Sequence, residues 1–155
     1  MLRQARVKPL AERGEGGKHQ RYVLEEQVGF LMRVATQRHT AIFMSCMVDG
    51  LTPPQFSALA KLLEIGPSSQ NHLGRRIYLD AATIKGVIDR LKARRLVTTQ
   101  SDRQDKRRRA VTLTEAGRRV AEAAVGLAAD ITSKTLAPLT PEEQRTVVRL
   151  LKKLG

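Results

Sequence analysis

DAATIKGVIDRLKARRLVTTQSDRQDKRRRAVTLTEAG, running from Asp80 to Gly117, is the stretch whose reading decides the fold. Asp80 offers a carboxylate to the free backbone N–H groups at a helix start. Ile84, Val87, Ile88 and Leu91 follow at three- and four-residue steps and share one face of a helix from Ala81 to about Arg94. The opposite face holds Ala82, Thr83, Gly86, Asp89, Arg90 and Ala93, with Lys85 on the flank. Leu96 to Gln100 and Arg109 to Leu113 are rich in Val and Thr and predict two short strands. Between them Ser101 to Arg108 is polar and carries Arg103, Asp105, Arg107 and Arg108, which makes a β-hairpin with a basic tip.

Upstream, Thr52-Pro53-Pro54-Gln55 is a capping box with proline at the first helical position. It opens a helix whose core face is Phe56, Leu59, Leu62 and Leu63 and which Gly66-Pro67 ends. Ser68 or Ser69 then caps a short helix to about Ile77, with Leu73 and Ile77 inward. Three short helices in succession, the last two joined by a tight turn, are a helix-turn-helix arrangement. Further out, Leu24, Val28, Leu31, Ala35, His39, Ile42 and Cys46 recur at helical spacing and predict a long helix from Tyr22 to Val48, ended by Asp49-Gly50. Val23, Phe30, Val34 and Phe43 lie off that stripe, so part of this helix is expected to pack against a second subunit.

On the other side Thr114 caps a helix to about Thr135, with Val120, Ala124, Leu127 and Ile131 as its stripe. Thr140-Pro141-Glu142-Glu143 repeats the capping box before Val147, Leu150, Leu151 and Leu154. The fold class is therefore mainly α with a small β-hairpin wing: a winged helix-turn-helix with a helical dimerisation region. Residues 1–20, with Gly14, Gly16, Gly17 and Pro9 among scattered charges, predict a flexible basic arm. Residues 21–155 are expected to form a single domain, with 22–50 and 114–155 as dimerisation helices and 51–113 as a winged-helix lobe of the kind that binds DNA.

The charge agrees with that division. The 155 residues carry a formal net charge of +13, and residues 75–109 alone hold twelve positive and four negative side chains. A basic cluster of this kind points to a polyanion, with nucleic acid ahead of an anionic membrane. A hydrophobic fraction of 41% excludes a disordered polyelectrolyte. The single cysteine, Cys46, excludes an intrachain disulfide and any thiolate-built zinc site. No apolar run reaches the ~20 residues of a membrane span, and Met1 to Gln20 lacks a signal-like apolar stretch, so a cytoplasmic protein is expected.

On the outer face of the Asp80-capped helix, Gly86 costs roughly 1 kcal/mol against alanine. It either allows close approach to a base edge or relieves crowding against a neighbouring helix. Ala82 can meet a thymine methyl, Thr83 can donate or accept, and Lys85 and Arg90 can reach a guanine edge or a phosphate. The hairpin tip suits a narrow minor groove, whose negative potential attracts inserted arginine, and Asp105 is placed to hold Arg107 in one pose.

Asp80 to Gly117 resembles the winged-helix segment of MarR-family transcription regulators, with D-x-R at Asp105 to Arg107 and LTEAG at Leu113 to Gly117. The resemblance covers the chain from about Tyr22 onward. It implies a homodimer whose first and last helices interlock, with Ala81 to Arg94 in the major groove of a pseudo-palindromic double-stranded DNA operator and the wing in the minor groove. It also implies that Arg107 is the wing-tip reader and Asp105 its partner. The family usually has glycine where Arg95 stands. A left-handed cap there costs ~1 kcal/mol more with arginine, so a differently shaped helix end is expected.

YVLEEQVGFLMRVATQRHTAIF, Tyr22 to Phe43, resembles the branch of the family controlling breakdown of aromatic and N-heteroaromatic acids such as hydroxynicotinate. That resemblance implies a repressor relieved by a small aromatic carboxylate or phenolic effector. Gln37, Arg38 and His39 are candidates to hold it, with Phe43 and Phe56 as walls. Cys46, on an apolar stripe and near no run of positive charge, is expected to be a buried structural cysteine; a redox switch through Cys46 is the alternative. A basic RNA-binding protein falls behind, because Tyr22, Tyr78, Phe30, Phe43 and Phe56 are too few to build a base-stacking surface. His19, His39 and His72 lack ligand spacing, and no nucleophile motif or phosphate loop appears. Neither catalysis nor a metal or other cofactor is expected.

Overall fold

The structure, a computed structural model, describes residues 22–101 and 109–155. Among these residues six α-helices and one two-stranded sheet follow each other as α1 (Val28–Cys46), α2 (Pro53–Ile65), α3 (Gln70–Arg76), α4 (Ala81–Ala93), β1 (Val97–Ser101), β2 (Arg109–Leu113), α5 (Glu115–Leu136) and α6 (Pro141–Leu154). The chain divides into two compact units, Met1–Arg38 and His39–Gly155. In the first, a 3-10 turn at Leu24–Glu26 precedes α1, because Gln27 is extended (ψ 132°) and its side-chain amide donates to the Val23 carbonyl at 2.9 Å. The helix expected from Tyr22 therefore starts at Val28. Leu24, Val28, Leu31, Met32 and Val34 are exposed, and the Arg33 guanidinium lies 5.0 Å from the centre of the Phe30 ring.

The second unit holds the core. Side-chain caps set five of its helix starts: Thr52, Ser69, Asp80, Thr114 and Thr140 each accept from the backbone N–H three residues on, with complete capping boxes at Thr52/Gln55 and Thr140/Glu143. Ser69, rather than Ser68, caps α3. Ile84, Val87, Ile88 and Leu91 of α4 are all buried, as their spacing predicts, beside Leu59, Leu62 and Leu73. Gly74 on α3 lets α4 approach, since a Cβ there would stand 3.1 Å from both Ile84 Cγ2 and the Leu79 carbonyl. In the last turn of α1 the buried residue is Phe43, which the helical stripe had excluded, and Met47 after it is buried too. The burial of Gln55 follows from its capping role, its Oε1 accepting from Thr52 N at 3.0 Å.

The hairpin pairs Val97 with Leu113 through to Ser101 with Arg109. A one-residue third strand, not expected from the sequence, completes it: Ser68 N donates to Val111 O at 3.0 Å and Val111 N to Ser68 O at 2.8 Å. That bridge seats the wing on the α2–α3 connection.

Arg95 corrects the expected change of helix end. It takes the left-handed conformation (φ +58°), with Arg95 N donating to Lys92 O at 2.8 Å and Leu96 N to Leu91 O at 3.0 Å. This is a full Schellman cap, closed by burial of Leu96. The two hydrogen bonds and the Leu96 contact outweigh the steric cost of a Cβ at positive φ. Arg95→Gly is accordingly expected to stabilise the fold by about 1 kcal/mol, seen as a rise in Tm of about 2–4 °C. An unchanged or lower Tm would contradict it.

Candidate nucleic-acid interface and effector cavity

With its apolar side sealed in the core, α4 presents Ala82, Thr83, Lys85, Asp89 and Arg90 exposed, and Gly86 half-buried. A Cβ built on Gly86 would meet only the Arg90 guanidinium, at 3.4 Å. Among the described residues no neighbouring helix crowds Gly86, so crowding within them does not account for a glycine there. Thr83 is more constrained than its residue type suggests: its N–H and its hydroxyl both donate to the Asp80 carboxylate, each at 2.8 Å. These bonds, the backbone one first, hold the Asp80 carboxyl below the usual range. Thr83 can thus offer a base its methyl group or a lone pair, but not its proton. Lys85 Nζ donates to Asp89 at 2.6 Å, and this contact lowers the Asp89 pKa. Both partners are well exposed, so the pair is weak and open to competition from phosphate.

The C-terminal end of α4 is anchored. Arg94 Nη2 donates to the Asp49 carbonyl at 2.7 Å, in the turn after α1 where Asp49 and Gly50 both have positive φ. Beyond Arg95, the hydroxyl of Thr114 donates to the Arg95 carbonyl at 2.7 Å, and Thr114 N donates to the Leu96 carbonyl at 3.0 Å. α4, the hairpin and α5 are thereby held together by hydrogen bonds that all end on main-chain carbonyls. The wing-tip candidates Arg103, Asp105, Arg107 and Arg108 lie outside the described residues.

A second feature is a cavity of about 210 Å³ between the end of α1, the start of α2 and α5. Its lining includes three of the residues expected to hold an effector, His39, Phe43 and Phe56; Gln37 and Arg38, both exposed on α1, are not among its lining residues. The Phe43 and Phe56 rings meet edge-on at 5.7 Å. His39 Nδ1 lies 2.9 Å from Thr135 Oγ1, whose own proton goes to the Ile131 carbonyl at 2.8 Å. With the Thr135 hydroxyl donating to Ile131, the neutral imidazole donates through Nδ1 and keeps Nε2 as an acceptor; the other tautomer accepts at Nδ1 and donates from Nε2. Ser57, Met47 and Thr132 also line the cavity. Sequence reading missed them, because nothing local links the end of α1 to positions on α2 and α5.

Cys46 also departs from expectation. It is half-buried, not buried, and Lys134 Nζ from α5 approaches Sγ at 3.3 Å, with Ser45 Oγ at 3.6 Å. Hydrogen bonds from Ser45 and then Lys134 lower the thiol pKa. Lys134→Met is expected to slow alkylation of Cys46 by iodoacetamide at neutral pH, where the thiolate fraction decides the rate, and to leave it unchanged at alkaline pH. Equal neutral-pH rates would sink this.

A helix-turn-helix followed by a β-hairpin wing, with the exposed face of its last helix small and basic-edged, defines a winged-helix protein. A profile described as the MarR family matches residues 49–108. The HTH-type transcriptional repressor NicR of Pseudomonas putida is 42% identical over 134 residues, covering 86% of this chain and 85% of NicR. The chain belongs to the MarR family of transcription regulators. Among solved structures it is similar to a probable transcriptional regulator from Pseudomonas aeruginosa (46% identity, TM-score 0.82, 86% of this chain and all of that one). It is also similar to Bordetella bronchiseptica BpsR, whose DNA binding is regulated by 6-hydroxynicotinic acid (42% identity, TM-score 0.80, 86% and 96% covered). Among the described residues no helix is long and apolar enough to cross a membrane, and no group of His, Cys, Asp and Glu could hold a metal ion.

Proposed function

We propose that this chain is a homodimeric repressor that binds a pseudo-palindromic duplex through α4 in the major groove and the hairpin tip in the minor groove, and that a small aromatic acid releases it. The observation that carries the proposal is α4 itself: one face in the core, the other offering Ala82, Thr83, Lys85 and Arg90 around Gly86, which packing among the described residues does not require. Dimerisation is supported by α6, which has no buried residue and leaves Leu150, Leu151 and Leu154 exposed at 46–72%. Soluble monomers avoid apolar patches of that kind. An effector of the type named for BpsR suits the cavity, where Phe43 and Phe56 supply ring contacts and His39 Nε2 an acceptor for a phenol or pyridone proton.

Selection from a random duplex pool is expected to recover inverted half-sites about one helical turn, ~10 base pairs, apart. Arg107→Ala should then lose about 1–3 kcal/mol of binding, and Arg118→Ala on α5 less. Equal losses overturn the wing assignment, and a 17.2 kDa species in sedimentation at micromolar concentration overturns the dimer. Asp89→Asn should tighten duplex binding about three- to tenfold at low salt, because it removes a negative charge from the reading face and frees Lys85 for phosphate. Weaker binding by that variant would mean that Asp89 itself touches a base.

Lys134 beside Cys46 favours a second function, a redox-responsive regulator. In that case peroxide weakens duplex binding by wild type and leaves Cys46→Ser unaffected.

A further inference from the structure

The tightest bend of the helix-turn-helix, between α3 and α4, places a tyrosine where a glycine would fit better. Tyr78 has φ +57° and is 89% exposed. The bend is closed by the backbone alone, with Leu79 N donating to Gly74 O at 2.9 Å and Tyr78 N to Arg75 O at 3.4 Å. A bulky L-residue is strained in the left-handed region. With the side chain this exposed, packing does little to offset the strain. A strained, solvent-facing aromatic residue is the kind of outlier from which a function is properly inferred.

Its surroundings indicate which function. Tyr78 is the one aromatic residue in the basic segment 75–109. Arg75 and Arg76 are exposed in the last turn of α3, and two residues after Tyr78 Asp80 caps α4, whose Ala82 and Thr83 are exposed. When the N-terminal end of a recognition helix enters the major groove, the segment leading into it passes the sugar–phosphate backbone at the groove's edge. Resting on the duplex-binding role proposed above, we infer that Tyr78 is a backbone-contact residue whose phenolic hydroxyl donates to a phosphate oxygen of the strand flanking α4. The left-handed bend is what lifts the ring clear of the fold.

This contact has two signatures that the arginines lack. A neutral donor displaces no counterion, so its loss lowers affinity without changing the slope of log K against log salt. Its loss also separates affinity from stability, because Tyr78→Gly relieves strain while removing the contact.

The test is fluorescence anisotropy with a labelled mixed-sequence duplex of about 30 base pairs, long enough for two half-sites a helical turn apart. Wild type, Tyr78→Phe and Tyr78→Gly are titrated at several salt concentrations and melted in parallel. Both variants are expected to bind about tenfold more weakly than wild type with an unchanged salt slope. Tyr78→Phe should melt with wild type and Tyr78→Gly about 2–4 °C above it. Tyr78→Phe binding as tightly as wild type overturns the proposal, as does a loss accompanied by a shallower salt slope. If wild type itself binds no duplex, the DNA-binding function falls and this contact with it; if only the variants match wild type, the contact alone falls.

Discussion

Gly117→Ala is expected to destabilise the protein by about 3 kcal/mol or more, the range in which a buried steric conflict dominates. A Cβ at this position would stand 1.8 Å from the Leu96 carbonyl oxygen. That oxygen cannot swing aside like a flexible side chain, because it accepts from Thr114 N at 3.0 Å and Thr114 Oγ1 lies 3.2 Å away. To admit a methyl group, the first turn of α5 has to leave the wing, which breaks the Thr114 cap as well as the packing of Ala121 and Ala124. Gly86→Ala provides the contrast. Its new Cβ meets only the movable Arg90 side chain, and alanine favours a helix interior by roughly 1 kcal/mol, so this variant should be more stable and bind duplex less well. Urea unfolding of the two variants beside wild type measures both, and a Gly117→Ala midpoint equal to wild type would refute the close approach.

The second large effect is effector release. On the function proposed above, a hydroxylated pyridine or benzoate carboxylate should lower duplex affinity about 100-fold, which corresponds to roughly 2.7 kcal/mol of coupling. The path is short. The cavity is walled by α2 through Pro53, Phe56 and Ser57 and by α5 through Ala128, Ile131 and Thr132, and α2 packs directly on α4. On that proposal a ring entering beside Phe43 and Phe56 would push on α2 and, through it, on α4. Reciprocity requires bound duplex to weaken the acid by the same factor. Calorimetric titration into wild type, His39→Ala and Phe56→Ala, with and without duplex, checks both. Identical affinities in all three proteins, or no difference with duplex present, would rule out this cavity.

The legible part of the site was the part written locally. Asp80 and the three- and four-residue steps of Ile84, Val87, Ile88 and Leu91 orient α4 regardless of what it packs against, so its outward residues could be named without coordinates. His39, Phe43 and Phe56 were legible only with the help of resemblance. Gln37 and Arg38 rest on their place in the middle of α1 and on the resemblance, and neither is among the cavity's lining residues.

What the amino-acid sequence determined by itself was the string of elements, their caps and the buried face of the recognition helix. Each depends on hydrogen bonds or side-chain spacing within a few residues. What only the tertiary structure decided were contacts between residues far apart in the chain: His39 with Thr135, Cys46 with Lys134, Gly117 against the Leu96 carbonyl, and Ser68 on Val111. The left-handed conformation of Arg95 belongs with them. Propensity alone disfavours it, and it holds because Leu96 has a core to enter and Leu91 and Lys92 have carbonyls to satisfy.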